Sequence, residues 1–560
     1  MSAGDQPQQF PAYSVLNIGV DGVAEANLES LQRIFTIPET SESTLAQIDE
    51  AISNNLDGFL HEHIVANEKP LGEIETEFAS ATIPEQPFYV STYTDFILKQ
   101  LVSQSVHTSS PGFVGHMTSA LPYFMLPLAK IVTALNQNLV KVETSKAFTP
   151  MERQVLGMLH NLIYRQPQSF YSRWLHNARY ALGAFCSGGT VANITALWVA
   201  RNQKLGEHNI SRKGLYGALQ QANLKGLAVL VSQRGHYSLA KAVDLLGIGR
   251  DQLIAIETDE RYRVNVDAMR RKAAELQAQG IGILSVVGLA GATETGSVDD
   301  LQALADLSDE LGCHFHVDGA WGGATLFSDT HRHLLSGIER ADSVTIDGHK
   351  QFYVPMGAGM VLFKDSKSLA NIEHHAEYII RQGSKDLGSH TLEGSRPGMA
   401  LLVHAGLNII GRKGYELLID QGLEKAHYFA ERIEQHADFE LIVAPTLNIL
   451  GYRYTPAWVQ AALPTLTAES LTAVNELLNQ LTQRVQKAQR AAGKSFVSRT
   501  RVNVPRYANQ VVTMFRVVLA NPLTTHTVLD SMLEEQLELV KEPEAVNLLD
   551  QLRSIIDQRE

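Results

Sequence analysis

The stretch "DSVTIDGHKQF", residues 342–352, sets an apolar, β-branched run (Val344 to Ile346) directly before Asp347, Gly348, His349 and Lys350. A short run of this kind reads as a buried strand, and its polar exit delivers a lysine beside a histidine. Lysine is almost never fully buried without a partner. Either Lys350 escapes to solvent, or the chemistry of the protein needs an amine at this strand end.

Working outward, five further runs share that character: "LAVLVS" (227–232), "QLIAIE" (252–257), "GILSVVG" (282–288), "HFHVDG" (314–319) and "GMVLFK" (359–364). Amphipathic helical patterns lie between most of them. In "SVDDLQALADLSDELG" the reading places Ser297 as the cap, Asp300 three residues on, and Gly312 at the close. Strand and helix alternating at this rhythm predict an α/β fold, a mostly parallel sheet with helices on both faces. Ligands of such sheets bind beyond the carboxyl ends of the strands.

The flanks differ. Up to about residue 150 the apolar spacing is helical, as in "TLAQIDEAISNNLDGFLHEHI", and beyond 400 it is helical and then mixed. There "LNILGYRYTP" (447–456) and "VVTMFRVVLANP" (511–522) read as antiparallel strands. The expected organisation is a helical segment over 1–150, a large α/β domain over 151–400 and a small α+β domain over 401–560. A chain of 560 residues is too long for one core, which agrees with such a division.

Composition narrows the function classes. A formal net charge of −13 leaves no Lys/Arg excess to neutralise phosphates, so neither nucleic acid nor an anionic membrane surface is an expected partner. Two cysteines, Cys186 and Cys313, give no disulfide framework and fit a reducing compartment. The opening "MSAGDQPQQF" has no basic region followed by an apolar core, so no signal peptide is expected and a cytoplasmic location is. "ALPYFMLPLAKIVTAL" (120–135) carries two prolines and a lysine and reads as a buried helix rather than a membrane span.

The strand ends carry the chemistry. After 227–232 comes His236, after 282–288 Thr293, after 314–317 Asp318, and after 343–346 Lys350. Taken singly, each has a bland account: a satisfied histidine, a loop hydroxyl, a turn aspartate, a snorkelling lysine. Together they bring an imidazole, a hydroxyl, a carboxylate and an amine to one edge of one sheet. Upstream, Ser187, Gly188, Gly189 and Thr190 of "CSGGTVAN" precede a helix, where turned amides and the helix start can cradle a phosphate. Along "HFHVDG", His316 and Asp318 share one face while Phe315 and Val317 share the other. Of Cys313, His314, His316 and Asp318, at most two could therefore reach one ion, and no metal site is expected.

A phosphate cradle, a Schiff-base lysine, a carboxylate and a flat stacking side chain together describe a site for pyridoxal 5'-phosphate. A charge about 4 Å away, at an effective dielectric near 20, is worth roughly 4 kcal/mol, or about three pKa units. That is enough for Asp318 to keep a pyridine nitrogen protonated. "HVDGAWGG", then "DSVTIDGHK" with Lys350 standing 32 positions after Asp318, resembles the group II pyridoxal-dependent amino acid decarboxylases. "CSGGTVAN", "GHYSLAKA" and "GATETGS" match the family in order, over about residues 90 to 530.

The resemblance implies a fold type I transferase architecture and a homodimer with the first 150 residues at the interface. It implies that Lys350 carries the cofactor, Asp318 pairs with the ring nitrogen, His236 stacks on the ring and Ala320 packs on the other face. Ser187, Gly188, Gly189, Thr190 and His349 would hold the phosphate, and Thr293 would support the ring substituents. Relatives often have "NPHK" where this chain has "DGHK", which puts the role of Asp347 in doubt. Arg516 in "MFRVVLANP" is implied to fork onto a substrate carboxylate. His116 and Asn138 fall where relatives build the substrate pocket, and Tyr378, beside the glycine-bearing stretch 381–396, is the candidate proton donor to Cα.

The implied reaction is decarboxylation of an acidic L-amino acid: aspartate to β-alanine, a pantothenate precursor, and carbon dioxide. The alternatives are glutamate to 4-aminobutyrate, or a catalytically silent homologue acting as a scaffold. Aspartate and glutamate differ by one methylene, worth about 1–3 kcal/mol in a pocket, so sequence does not separate them.

Overall fold

The computed structural model describes residues 44–61, 65–66, 69–375 and 384–557. Seven strands form the large sheet: β1 (Gly183–Cys186), β2 (Gly226–Ser232), β3 (Leu253–Ile256), β4 (Ile281–Leu289), β5 (His314–Asp318), β6 (Ser343–Asp347) and β7 (Gly359–Phe363). Their order is β1-β7-β6-β5-β4-β2-β3. The pairs β2·β3, β2·β4, β4·β5 and β5·β6 are parallel, whereas β7 runs antiparallel to both β6 and β1.

The sheet forms because most of its strands are apolar on both faces, as suits a sheet covered twice by helices. In β2, Ala228 and Leu230 enter a cluster with Leu156 and Leu159 of the Phe148–Tyr164 helix. Leu227, Val229 and Val231 enter another with Leu197, Leu239 and Val243. Each such aliphatic contributes roughly 1.5–3 kcal/mol on burial.

A second sheet is wholly antiparallel, in the order β10-β11-β9-β8: β8 (Phe439–Val443), β9 (Ile449–Tyr454), β10 (Ser498–Val504) and β11 (Gln510–Val518). Leu450, Tyr452, Phe515 and Val517 pack it against Phe429, Leu481 and Val485 of two 25-residue helices, Gly411–Gln435 and Ala468–Ala492. A buried polar stitch joins the sheets: Trp321 Nε1 donates to Asn448 Oδ1 (3.0 Å), Asn448 Nδ2 to Gln351 Oε1 (2.8 Å), and Gln351 Nε2 to the Trp321 carbonyl (2.9 Å). It ties the turn after β5, the residue after Lys350 and the start of β9 into one unit.

Two local expectations need correction. Asp300, not Ser297, caps the Leu301–Leu311 helix: its Oδ1 accepts from Ala303 N–H at 3.0 Å, and Gly312 closes the helix at φ 57°. The Ser297 hydroxyl instead donates to the Tyr262 carbonyl. Within 120–135 the helix is Met125–Leu135, and it is not buried in the single chain: Met125 alone is enclosed, while Leu126, Ile131 and Leu135 face outward.

Arg396 crosses to the Phe148–Tyr164 helix and makes a two-pronged ion pair with Glu152, with Nη1 at 2.6 Å from Oε2. Both residues are buried. Removing one partner of a buried pair leaves the other charge uncompensated. Arg396→Met is expected to lower the unfolding free energy by about 3–5 kcal/mol in urea denaturation, and a second change, Glu152→Leu, to restore most of it.

Candidate active site

The parallel register brings the polar strand ends to one edge. Asp318, last in β5, stands level with Leu289 of β4 and Thr345 of β6. Both of its oxygens accept N–H donors: Oδ1 from the Ala320 backbone (3.2 Å) and Oδ2 from Asn193 Nδ2 (2.9 Å). Asn193 projects from the Gly189–Lys204 helix, and its Oδ1 meets His316 Nε2 at 3.0 Å. His316 and Asp318 thus share a face, as alternation along the strand requires.

Lys350 lies three residues past β6. Its Nζ is 3.1 Å from Asp347 Oδ2, so the aspartate of "DGHK" partners the lysine. The other oxygen, Asp347 Oδ1, is buried without a hydrogen-bond partner. His349 donates from Nδ1 to the Ala358 carbonyl at 2.9 Å, and its Nε2 lies 3.6 Å from Asp347 Oδ2.

The expected phosphate cradle is a helix start stripped of side chains. No side chain caps the Gly189–Lys204 helix at Gly188, so its first amides are free to donate to an anion. The backbone here is tight. A Cβ on Gly189 would come within 2.8 Å of Asp347 Oδ2, and one on Gly359 within 2.5 Å of Gly188 Cα. Ser187 is exposed, and its N–H donates to Glu393 Oε2 at 3.0 Å. The site so formed suits pyridoxal phosphate: uncapped amides for a phosphate, an amine for an aldehyde, and a carboxylate held on two donors for a ring nitrogen.

His236 caps the Tyr237–Leu245 helix, its Nδ1 accepting from the Ser238 N–H (3.3 Å) and lying 2.8 Å from Ser238 Oγ. Burial pushes the imidazole below its ordinary pKa, opposed by the charge of Asp318. The charges of Lys350, Glu294 and Asp347 also act on the ring, so these groups lie in the space around it.

Arg516 reaches that space from β11. Its Nε donates to the Thr293 carbonyl (2.6 Å) and its Nη1 to the Gly115 carbonyl (3.4 Å) and Ser498 Oγ (3.3 Å), while Nη2 is buried with no partner. Burial lowers the guanidinium to about 10, opposed by Glu294. His116 bonds Thr118 through Nδ1. Partial covering of its ring, then the neighbouring Arg516 and Lys350, push its pKa down.

The remaining expected residues fall as follows. Thr293 meets Arg516 through its backbone, and Thr190 stands in the first turn of the cradle helix. The Asn138 amide is taken up elsewhere: Nδ2 donates to Ser395 Oγ, and Oδ1 accepts from Val140 N–H and Arg396 N–H. Tyr378 lies outside the described residues. Sequence reading did not single out Asn193, Ser238 or Glu294. Asn193 sits inside the "CSGGTVAN" motif, and its position one turn into the cradle helix was the available signal. Among the described residues no three His, Cys, Asp or Glu side chains gather to hold a metal ion.

Comparison with known proteins bears on this geometry. Residues 76–455 match the pyridoxal-dependent decarboxylase conserved domain. The chain is 59% identical over 534 residues to the aspartate 1-decarboxylase of Aliivibrio fischeri, covering 94% of this chain and 98% of that one. It is 29% identical over 450 residues to the cysteine sulfinic acid decarboxylase of Mus musculus, covering 79% and 84%. The crystal structure of mouse CSAD superposes with a TM-score of 0.76 at 26% identity, over 88% of this chain and 97% of the other. A lysine, a doubly held aspartate and an uncapped helix start thus meet at the strand ends of a chain that belongs to the pyridoxal-dependent decarboxylase family, enzymes that remove a carboxylate from amino acids with pyridoxal phosphate.

Proposed function

We propose that this enzyme decarboxylates L-aspartate at Cα, releasing carbon dioxide and, with uptake of one proton at Cα, β-alanine. The observation that carries the substrate is the 59% identity, over nearly the whole chain, to an aspartate 1-decarboxylase. In this reading Lys350 holds the cofactor covalently through its amine, and Asp347, 3.1 Å away, takes and returns the lysine proton. Asp318 would pair with the ring nitrogen, His236 and Ala320 would hold the ring, and Thr293 would support its substituents. Ser187, Gly188, Gly189, Thr190 and His349 would hold the phosphate. Pyridoxal phosphate, when bound, supplies the sink for the electron pair left at Cα as carbon dioxide departs.

The substrate's side-chain carboxylate falls to Arg516, whose unpartnered Nη2 supplies a charged donor in a water-poor setting. His116 stands in the same field and lends a ring edge. Asn138 is not part of this assignment, because its amide is already saturated by Ser395, Val140 and Arg396.

We further infer a cytoplasmic homodimer, with the chain divided near residues 150 and 400. Leu71, Ile83, Tyr93, Tyr123, Leu126 and Leu135 are exposed on the single chain, an apolar surface that a second copy would cover. Among the described residues no helix is long and apolar enough to cross a membrane, and Cys186 and Cys313 are both unpaired.

Three outcomes are expected. Lys350→Ala protein mixed with pyridoxal phosphate lacks the visible absorption of the lysine-bound cofactor and does not turn over aspartate; retention of both refutes the assignment of Lys350, whereas unaltered protein that is colourless and inert with the cofactor supports the silent-scaffold reading. In a panel of L-aspartate, L-glutamate and cysteine sulfinate, purified enzyme prefers aspartate, and Arg516→Ala lowers kcat/KM for it by about 10- to 100-fold. Equal inertness toward all three sinks the acidic-substrate reading. Sedimentation at micromolar concentration gives a dimer, and Tyr123→Glu with Leu126→Glu shifts it toward monomer.

A further inference from the structure

The assigned site leaves unexplained a buried polar chain that begins at its edge and runs away from it. Asn193 is the node. Its two amide hydrogens go to Asp318 Oδ2 (2.9 Å) and Ser238 Oγ (3.0 Å), and its Oδ1 meets His316 Nε2 (3.0 Å). Beyond it, His316 Nδ1 meets Ser343 Oγ (2.8 Å), which in turn meets His314 Nε2 (2.7 Å). His314 Nδ1 lies 4.0 Å from Asp342. Asn193, Ser238, His316 and Ser343 are each no more than 1% exposed.

Donor and acceptor roles follow one from another. A carboxylate only accepts, so the NH₂ of Asn193 must face Asp318 and its oxygen must face His316. His316 Nε2 must then carry the hydrogen, and a neutral ring turns its Nδ1 lone pair to the Ser343 hydroxyl. Burial, opposed by Asp318, pushes His316 down to about 4, which keeps that ring neutral. On the other branch Ser238 accepts from Asn193 and its hydroxyl hydrogen is free to go to His236 Nδ1, which leaves the His236 hydrogen on Nε2. Every hydrogen-bonding position of the Asn193 amide facing this chain is used, and reversing the amide breaks all three links at once.

We propose that Asn193 and His316 are positioning residues: together they fix the rotamer of Asp318 and couple it to the tautomer of His236, so that the carboxylate meets the cofactor's ring nitrogen at one angle. This inference rests on the assignment of Asp318 to that nitrogen. Asn193 contributes the aim, since Ala320 N–H alone holds only one carboxylate oxygen and leaves the group free to pivot about it. His316 contributes the orientation of Asn193. Neither touches the reacting atoms.

The test is the ring-nitrogen chemical shift of full-length enzyme loaded with ¹⁵N-labelled pyridoxal phosphate, followed against pH alongside steady-state kinetics. Asp318→Asn is the reference: it loses the protonated-nitrogen signal, and if it keeps that signal, the assignment beneath the inference fails. With that reference in hand, Asn193→Ala and His316→Leu are expected to lower the pH at which the ring nitrogen loses its proton by about one unit. Their kcat falls about tenfold with little change in KM. His316→Gln retains an N–H donor at the Nε2 position and recovers the ring-nitrogen signal. Wild-type titrations in both Asn193→Ala and His316→Leu overturn the proposal, and a His316→Gln protein that behaves like His316→Leu overturns the role of the Nε2 donor. Should Asn193→Ala fail to fold, the His316 pair decides alone.

Discussion

The site depends on one constraint, the register of β5 between its two parallel neighbours. With Asp318 level with Leu289 and Thr345, β4 and β5 end at the same height and β6 runs on to Asp347 towards the same edge. Backbone hydrogen bonds therefore set the spacing of the acidic, hydroxyl and amine groups before any side chain contributes. A slip of one residue in β5 would turn Asp318 and His316 to the face that Phe315 and Val317 now occupy, and the polar chain would lose its members. The same slip would take Phe315 and Val317 out of the core, so the core protects the geometry of the edge.

Around that constraint the protein spends polar groups where burial leaves little choice. Asn193, Trp321, Gln351 and Asn448 are enclosed and each meets partners across long separations in the chain. An unpaired buried donor or acceptor is expensive, so each network favours a single arrangement. Asp347 Oδ1 and Arg516 Nη2 are among the buried atoms that break the pattern. Both belong to side chains of the candidate site, and a buried group without a partner is placed to receive one from a ligand.

Much of this was legible in the sequence, for physical reasons. β2, β4 and β7 are mostly apolar on both faces and β5 and β6 on one, so their runs stand out in the sequence. β10, "SRTRVNV", did not: it is an edge strand whose Arg499, Arg501 and Asn503 face solvent, and its sequence reads as polar loop. β1 has four residues and β8 begins at a helix exit, too short or too masked by neighbours to register. The 120–135 helix misled because apolar content alone does not say whether this chain or another covers it. Asp318, His236 and Lys350 were readable because they end strands. Asn193 was less so, because its one signal is its place a turn into the cradle helix, and it acquires a role from what lies opposite. Asp347 likewise drew doubt as a carboxylate near a phosphate cradle, and only the 3.1 Å approach of Lys350 Nζ gives it a partner.

Arg516 hangs from the antiparallel sheet, whereas Lys350 and Asp318 hang from the parallel one. On the proposed assignment, recognition of the incoming molecule and the bond-breaking apparatus are mounted on separate sheets. On that assignment, substitutions around β11 alter which amino acid is held while leaving the strand ends that carry Asp318 and Lys350 in place.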